Sequence, residues 1–210
     1  MNKKNIIITS LVTILPMLAG LAMWNMLPES VPVHWNFRGE IDDYGSKAFA
    51  VFFIPAFMLA MHLICVLATR IDPKNQNMNH KVLGLVLWIC PVTSVLSMGA
   101  CFAAALEFEV DVSFIFPLFI GVLFFAIGNY LPKCKRNYTI GIKIPWTLES
   151  DENWNKTHRF AGVLWIVCSL VIMVGAFWRS AVVYTTFVPL AIMVVAPMIY
   201  SYLLYKNNNK

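Results

Sequence analysis

The sequence predicts an all-α membrane protein of six transmembrane helices, and three observations predict it. Six long apolar runs cover most of the chain. Of the 210 residues, 59% are hydrophobic and 13% charged, against about 25% charged in a soluble domain. The mean hydropathy is +0.68. The runs are Asn5–Leu27, Ala48–Thr69, Val82–Leu106, Val112–Leu131, Phe160–Trp178 and Ala181–Leu204. Each has about the 20 residues a helix needs to span hydrocarbon. They are continuous rather than alternating, which excludes barrel strands. Helices and closed barrels are the only folds that satisfy their backbone in lipid. Residues 1–210 therefore read as one membrane domain with essentially no soluble part.

The first run follows Lys3 and Lys4. Its apolar stretch is about twice the roughly 7–15 residues of a signal-peptide core. No small-x-small cleavage site precedes Leu27-Pro28, so it is expected to be a retained first helix.

The next segment, LPESVPVHWNFRGEIDDYGSK, spans Leu27–Lys47. Pro28 and Pro32 end any helix. Val31, Val33 and Trp35 alternate with Pro32, His34 and Asn36, a period-two pattern that predicts an extended segment. Asn36, Gly39 and the Asp-Tyr-Gly-Ser stretch are turn chemistry. A hairpin-like cap on the outer surface over residues 28–47 is expected, with Trp35, Phe37 and Tyr44 anchoring it at headgroup level.

The second run holds His62, the one ionisable side chain deep in a span besides cysteines. It reads either as a proton-relay group or, more simply, as a hydrogen-bonding partner of a neighbouring helix. Transporters and pumps usually carry Asp, Glu, Lys or Arg at depth, and no run here does. Nor is there an internal repeat of the kind inverted-repeat transporters show. Short loops make the later consecutive helices antiparallel neighbours, apart from one long inner gap at 132–159. Pro16, Pro55, Pro91, Pro117, Pro189 and Pro197 interrupt the spans and are expected to kink them.

The long gap has two parts. NYTIGIKIPWTL, with Gly141 and Pro145, reads as loop or extended chain. SDENWNKTHRFAG reads as a helix start: Ser150 is a good N-cap, and Asp151 and Glu152 suit the positive helix end. Glu152 and Lys156 are spaced i,i+4 in the favourable order. Trp154 and His158 share the same spacing, hence one face. This helix is expected to continue into the fifth span.

Orientation follows the Lys/Arg asymmetry of short loops. Lys3, Lys4, Arg70, Lys74, Lys81, Lys133, Lys135, Arg136, Lys143, Lys156, Arg159, Lys206 and Lys210 fall on one side, and only Arg38, Lys47 and Arg179 on the other. Both termini are therefore expected in the cytoplasm. The net charge of +5 is a topology signal, and no direct nucleic-acid contact is expected. Cys65, Cys90, Cys101 and Cys168 lie in apolar runs and Cys134 in the inner gap, without metal-ligand spacing and without an outer-loop pair for a disulfide.

The residues offer several candidate sites. His34, Glu40, Asp42 and Asp43 are zinc- or calcium-type ligands but lack a recognised spacing, and a turn held by Asp side chains explains them as well. His158 with Thr147, Lys143 or Arg159 could serve an enzyme acting on a lipid or peptide at the inner surface, though no nucleophile elbow, HExxH or phosphate loop accompanies them. Lys143 and Arg159 could bind anionic lipid heads. The cluster of Gly141, Pro145, Trp146 and Thr147 points instead to a folded loop docked on the bundle, with Trp and Arg as recognition anchors. No catalytic residue, cofactor or metal is assigned.

At Gly128-Asn129, then Asn137, Ile140, Gly141, Ile142, Lys143, Pro145, Trp146, Thr147, Leu148, Trp154, His158 and Arg159, the inner stretch at 128–162 resembles the SdpI family of bacterial membrane proteins. The outer stretch at 27–47, with Leu27-Pro28, Val31-Pro32, His34-Trp35, Gly39, Asp42, Asp43 and Tyr44-Gly45-Ser46-Lys47, resembles a small domain of unknown function often found ahead of it. The resemblance implies a multi-pass protein of a Gram-positive plasma membrane, conferring immunity to a secreted, membrane-active killing peptide. It further implies a cytoplasmic winged-helix autorepressor, held at the membrane by the toxin-engaged protein. The toxin would meet the outer residues His34, Trp35, Gly39, Asp42, Asp43 and Tyr44. The inner partner would meet Asn129, Asn137, Gly141, Lys143, Pro145, Trp146, Thr147, Trp154, His158 and Arg159. Membrane lipids complete the expected partners.

Overall fold

The computed structural model describes residues 2–74 and 78–208. Lys210, counted above toward the charge of the tail, lies outside the described residues. In chain order the elements are α1 (Lys3–Ala22), β1 (Ser30–Trp35), β2 (Ile41–Ser46), a π-helical turn (Phe49–Phe53) running into α2 (Ile54–Ile71), α3 (His80–Ala105), α4 (Val112–Tyr130), a 3-10 turn (Leu131–Lys133), α5 (Pro145–Glu149), α6 (Asp151–Gly175) and α7 (Val182–Asn208). Among the described residues, six helices are long and apolar enough to cross a membrane. The six-helix expectation holds, and the expected hairpin forms from β1 and β2.

The boundaries differ where apolarity is a poor guide to helix ends. The first helix stops at Ala22, five residues early, and the chain turns through Met26 to seat Leu27 in the core. The fifth begins at Asp151, as the Ser150 cap indicated, so it is longer than its apolar run. Pro145–Glu149 is a short helix rather than loop or extended chain. Pro145 stands at its first position, where a fixed φ suits a helix and the missing N–H is no loss. Helices run through Pro16, Pro91, Pro117, Pro189 and Pro197.

The chain divides into two compact units, one of Met1–Leu67 with Val86–Val112 and one of Ala68–Leu85 with Ser113–Lys210. The first is built on a polar seam inside apolar helices. The Thr13 hydroxyl donates to Thr9 O at 2.7 Å, and Ser94 Oγ donates to Thr13 O at 2.8 Å. His62 Nε2 and Thr9 Oγ1 are 3.0 Å apart, so the one histidine deep in a span is a helix-to-helix hydrogen-bonding group. Leu27, Val31, Ala50, Val51, Met98, Cys101 and Phe102 form the core beside this seam.

The hairpin is joined to this core by Val31 and Lys47, both buried. Val31 pairs with Gly45 and His34 with Asp43, with register shifts around Pro32 and His34. Such shifts follow from a proline in the strand, which cannot donate to the ladder. At the tip, Asn36 Oδ1 accepts from Arg38 N at 2.8 Å and from Glu40 N at 3.1 Å, and Gly39 takes φ +79°. Lys47 Nζ donates to Trp24 O at 3.2 Å and pairs with Glu29 at 2.9 Å. A buried ammonium requires such partners.

The second unit is centred on α6. Cys168, Ile172 and Met193 form its apolar core with Phe124, Trp165 and Leu190 around them. Pro197 lacks the N–H that would bond the carbonyl of Met193 four residues earlier. Trp165 Nε1 fills that vacancy, donating to Met193 O at 2.9 Å. α4 and α6 approach through Gly128 and Gly162: a Cβ on Gly128 would lie 3.0 Å from Gly162 O, and one on Gly162 would lie 2.7 Å from the Pro132 ring. Small residues permit such close backbone packing where apolar burial alone gives helices no reason to associate.

Candidate functional site

Part of the inner motif folds into one cluster on the first turns of α6. Ser150 Oγ accepts from Asn153 N at 3.2 Å, and Asp151 and Glu152 occupy the first turn. Spacing by four places Trp154 and His158 one above the other. Their rings stack with centroids 4.0 Å apart at 18°. Both are fully buried, although they belong to the polar gap of the sequence. They are covered by the loop from Cys134 to Ile144.

Three hydrogen bonds fix the stack against this loop and α6. Trp154 Nε1 donates to Cys134 O at 2.7 Å. Ile142 N donates to His158 Nε2 at 3.0 Å, and His158 Nδ1 lies 2.8 Å from Trp154 O. A backbone amide can only donate and a carbonyl can only accept. Nε2 therefore carries no hydrogen and Nδ1 carries one, so the imidazole is neutral and both nitrogens are engaged. Gly141 supplies the fit. It takes φ +122°, and a Cβ there would lie 2.5 Å from His158 Nε2 and 3.0 Å from the Trp154 ring.

Asn137 holds the loop's own shape. Its Nδ2 donates to Lys135 O and Ile140 O, each at 2.9 Å. Its Oδ1 accepts from Thr139 N at 2.8 Å and Ile140 N at 2.6 Å. Thr147 does the same for α5: Ile144 N donates to its hydroxyl at 3.1 Å, and the hydroxyl donates to Ile142 O at 2.7 Å. Trp146 leaves α5 to pack against Tyr202 and Tyr205 of α7, at 5.1 and 6.3 Å between centroids. Arg136 donates from Nη1 to Leu148 O at 2.7 Å. Its Nε lies 2.6 Å from Asp151 Oδ1, an ion-pair contact without hydrogen-bond alignment.

Several anchors escaped sequence reasoning. Asp72, just past α2, accepts from Tyr138 N at 2.8 Å and from the Thr139 hydroxyl at 2.7 Å with Oδ2. Its Oδ1 accepts from Lys74 N at 2.8 Å. Burial raises the Asp72 carboxyl, but the Thr139 hydroxyl and these backbone N–H groups outweigh it and hold the group below the ordinary carboxylate value. On α6, Asn153 Nδ2 donates to Ser201 O at 2.9 Å, while its Oδ1 accepts from Ser201 Oγ at 2.6 Å and Thr157 Oγ1 at 3.0 Å. The signal was present in the i,i+4 spacing of Asn153 and Thr157, the same spacing as Trp154 and His158 one position on. Asp72 gave none, lying more than sixty residues from its partners in this loop, Tyr138 and Thr139.

The remaining motif residues do not join this cluster. Arg159 and Asn129 are exposed, and Arg159 lies on the face of α6 away from His158. Lys143 is exposed, its Nζ donating to Tyr138 O at 3.3 Å. Pro145 is exposed at the start of α5. The three groups weighed for an enzyme are thus separately engaged: His158 by two backbone groups, Thr147 by α5, Lys143 by Tyr138. Burial pushes the Cys134 thiol up to about 11, which keeps it a neutral thiol.

On the hairpin, His34 Nδ1 pairs with Asp42 Oδ1 at 2.6 Å, Glu40 Oε2 accepts from Asn36 Nδ2 at 2.9 Å, and Asp43 Oδ1 accepts from Tyr44 N at 2.8 Å. Among the described residues no three His, Cys, Asp or Glu side chains converge as a metal site. Trp35 packs against the core below the hairpin. Phe37 and Tyr44 stand out from the hairpin, 72% and 55% exposed.

Two measurements check this geometry. Gly141→Ala places a side chain at a positive φ and against His158, so thermal unfolding in detergent should show a loss of about 2 kcal/mol or more, with faster proteolysis between residues 134 and 144. For Asp72, a carboxyl whose value is lowered on folding stabilises the fold above its ordinary value of about 3.9. That contribution fades as the pH falls through the lowered value. Asp72→Asn should be less stable than wild type at pH 7 and should lose less stability on acidification, read from unfolding curves between pH 7 and pH 3.

Comparison with known proteins agrees with both motifs. The model of the SdpI/YfhL protein family matches residues 133–201, and that of a domain of unknown function (DUF1648) matches residues 11–59. The immunity protein SdpI of Bacillus subtilis (strain 168) is 27% identical over 213 residues, covering 99% of this chain and 98% of the relative. No solved structure matches. The resemblance to the SdpI family read from the two motifs therefore holds, in the same sequence order and across nearly the whole chain.

Proposed function

We propose that this chain is an immunity protein of a bacterial plasma membrane, protecting its cell from a secreted, membrane-active killing peptide without enzymatic chemistry. The observation that carries the reading is the similarity to an immunity protein along 99% of the chain. A match of that extent includes both polar segments as well as the spans. The engagement of His158, Thr147 and Lys143 by separate structural partners supports the non-enzymatic part.

The hairpin is the receptor element of this proposal. It presents two aromatic rings, Phe37 and Tyr44, beside Glu40, Asp42 and Asp43, which suits an amphipathic cationic peptide. The inner loop is the second element. Lys135 and Lys143 lie on its exposed side, and an autorepressor held at the membrane would meet that basic surface. Coupling between the two would require two arrangements of the bundle that each partner biases.

The test is survival of a sensitive Gram-positive strain expressing the chain, challenged with membrane-active killing peptides. The wild-type chain should protect. Trp146→Ala, which removes the contact of α5 with Tyr202 and Tyr205, should protect at least tenfold less while inserting and accumulating normally. Equal killing with and without an inserted wild-type chain would contradict the immunity reading. Full protection by Trp146→Ala would remove the inner loop from it.

A further inference from the structure

The outward face of α6 carries an ordered stripe that the inner motif does not use. Positions 152, 155, 156, 159, 160, 163, 164 and 167 repeat at helical spacing, while Asn153, Trp154, Thr157, His158 and Ala161 face inward and are buried. Along the stripe the chemistry changes once. Glu152, Asn155, Lys156 and Arg159 come first; Phe160, Val163, Leu164 and Val167 follow. Tyr200 of α7, stacked on Phe160 at 4.6 Å, walls one side. The whole is an open groove of about 1000 Å³, the size of a small-ligand site.

We propose that this groove is a binding site for one anionic phospholipid, its phosphate on Arg159 and an acyl chain along Val163 and Val167. Charge supports it. Lys156 is paired with Glu152 at 2.6 Å, whereas Arg159 makes no ion pair or hydrogen bond among the described residues. A guanidinium offers the planar fork that matches a phosphate. Length supports it too. From Arg159 to Val167 is about 12 Å of helix at 1.5 Å per residue, close to the roughly 15 Å of one hydrocarbon leaflet. The polar end lies at the N-terminal start of the span and the apolar end deeper, the direction in which a phospholipid lies. A partner helix fits less well. Helix contacts in membranes favour Gly, Ala, Ser and Thr, and the deeper half of this stripe is Phe160, Val163, Leu164 and Val167.

The full-length protein in detergent, titrated with phosphatidylglycerol or phosphatidylcholine of equal chain length and followed by native mass spectrometry, tests the site. Wild type should retain phosphatidylglycerol in preference to phosphatidylcholine. Arg159→Gln should lower phosphatidylglycerol binding about tenfold and abolish the preference. Arg159→Lys should recover part of it. Val167→Trp, which fills the deep end, should weaken both lipids. A photo-crosslinker at Val163 in native membranes should capture lipid. Equal phosphatidylglycerol binding by Arg159→Gln and wild type would overturn the proposal. So would competition by inorganic phosphate as effective as that of the lipid, or capture of a protein or peptide at Val163 in place of lipid.

Discussion

The hydrogen bond from the Ile142 amide to His158 Nε2 is the constraint on which the inner region depends. It can form only if the imidazole is neutral and only if nothing projects from Gly141. The histidine's other nitrogen is held by the carbonyl of Trp154, and the indole beside it reaches the carbonyl of Cys134. One stacked pair on one helix turn thus fixes both ends of the covering loop. Asn137 sets the loop's internal curvature with four hydrogen bonds, and Asp72 ties its crest to the end of α2. Remove the first bond and a buried imidazole nitrogen and the partly buried Ile142 amide lose their partners together. An unpaired buried polar group costs about 1–3 kcal/mol.

The same economy of polar groups recurs within the spans. His62 meets Thr9, Asn153 meets Ser201, and Trp165 caps the carbonyl that Pro197 leaves open. These polar side chains are helix-to-helix fasteners, whereas Ser97, Ser169 and Thr185 bond back to carbonyls of their own helices. α6 shows how one helix serves two purposes. Its inward face carries the loop and the bundle contacts, and its outward face runs from charged to apolar along the span. Consecutive residues sit about 100° apart around a helix, so His158 and Arg159, neighbours in the chain, belong to different surfaces.

That separation explains what the sequence could convey. Six spans were legible because a continuous apolar run has few alternatives in lipid. The hairpin was legible because Pro28, Pro32, Asn36 and Gly39 each have specific backbone preferences. The Trp154–His158 pair was legible from its spacing alone. The motif around them was read as one surface, and the structure divides it: Asn137, Gly141, Thr147, Trp154 and His158 build the loop, whereas Asn129, Lys143 and Arg159 face outward. Asp72 and Ser201 were missed because their partners are distant in sequence, where no local pattern operates. α5 was missed because five residues of helix leave no periodicity to read, and so short a helix forms through tertiary contacts, those of Trp146 with α7 and of Leu148 with Arg136 among them.

The most direct test of this account is the nitrogen NMR spectrum of ring-labelled His158 in the full-length protein at neutral pH. A protonated Nδ1, a bare Nε2, and a through-hydrogen-bond coupling from Nε2 to the amide nitrogen of Ile142 are the expected result. A hydrogen on Nε2, as in the other tautomer or in the imidazolium, would contradict it, because the Ile142 amide would then have no acceptor and the loop would need another anchor.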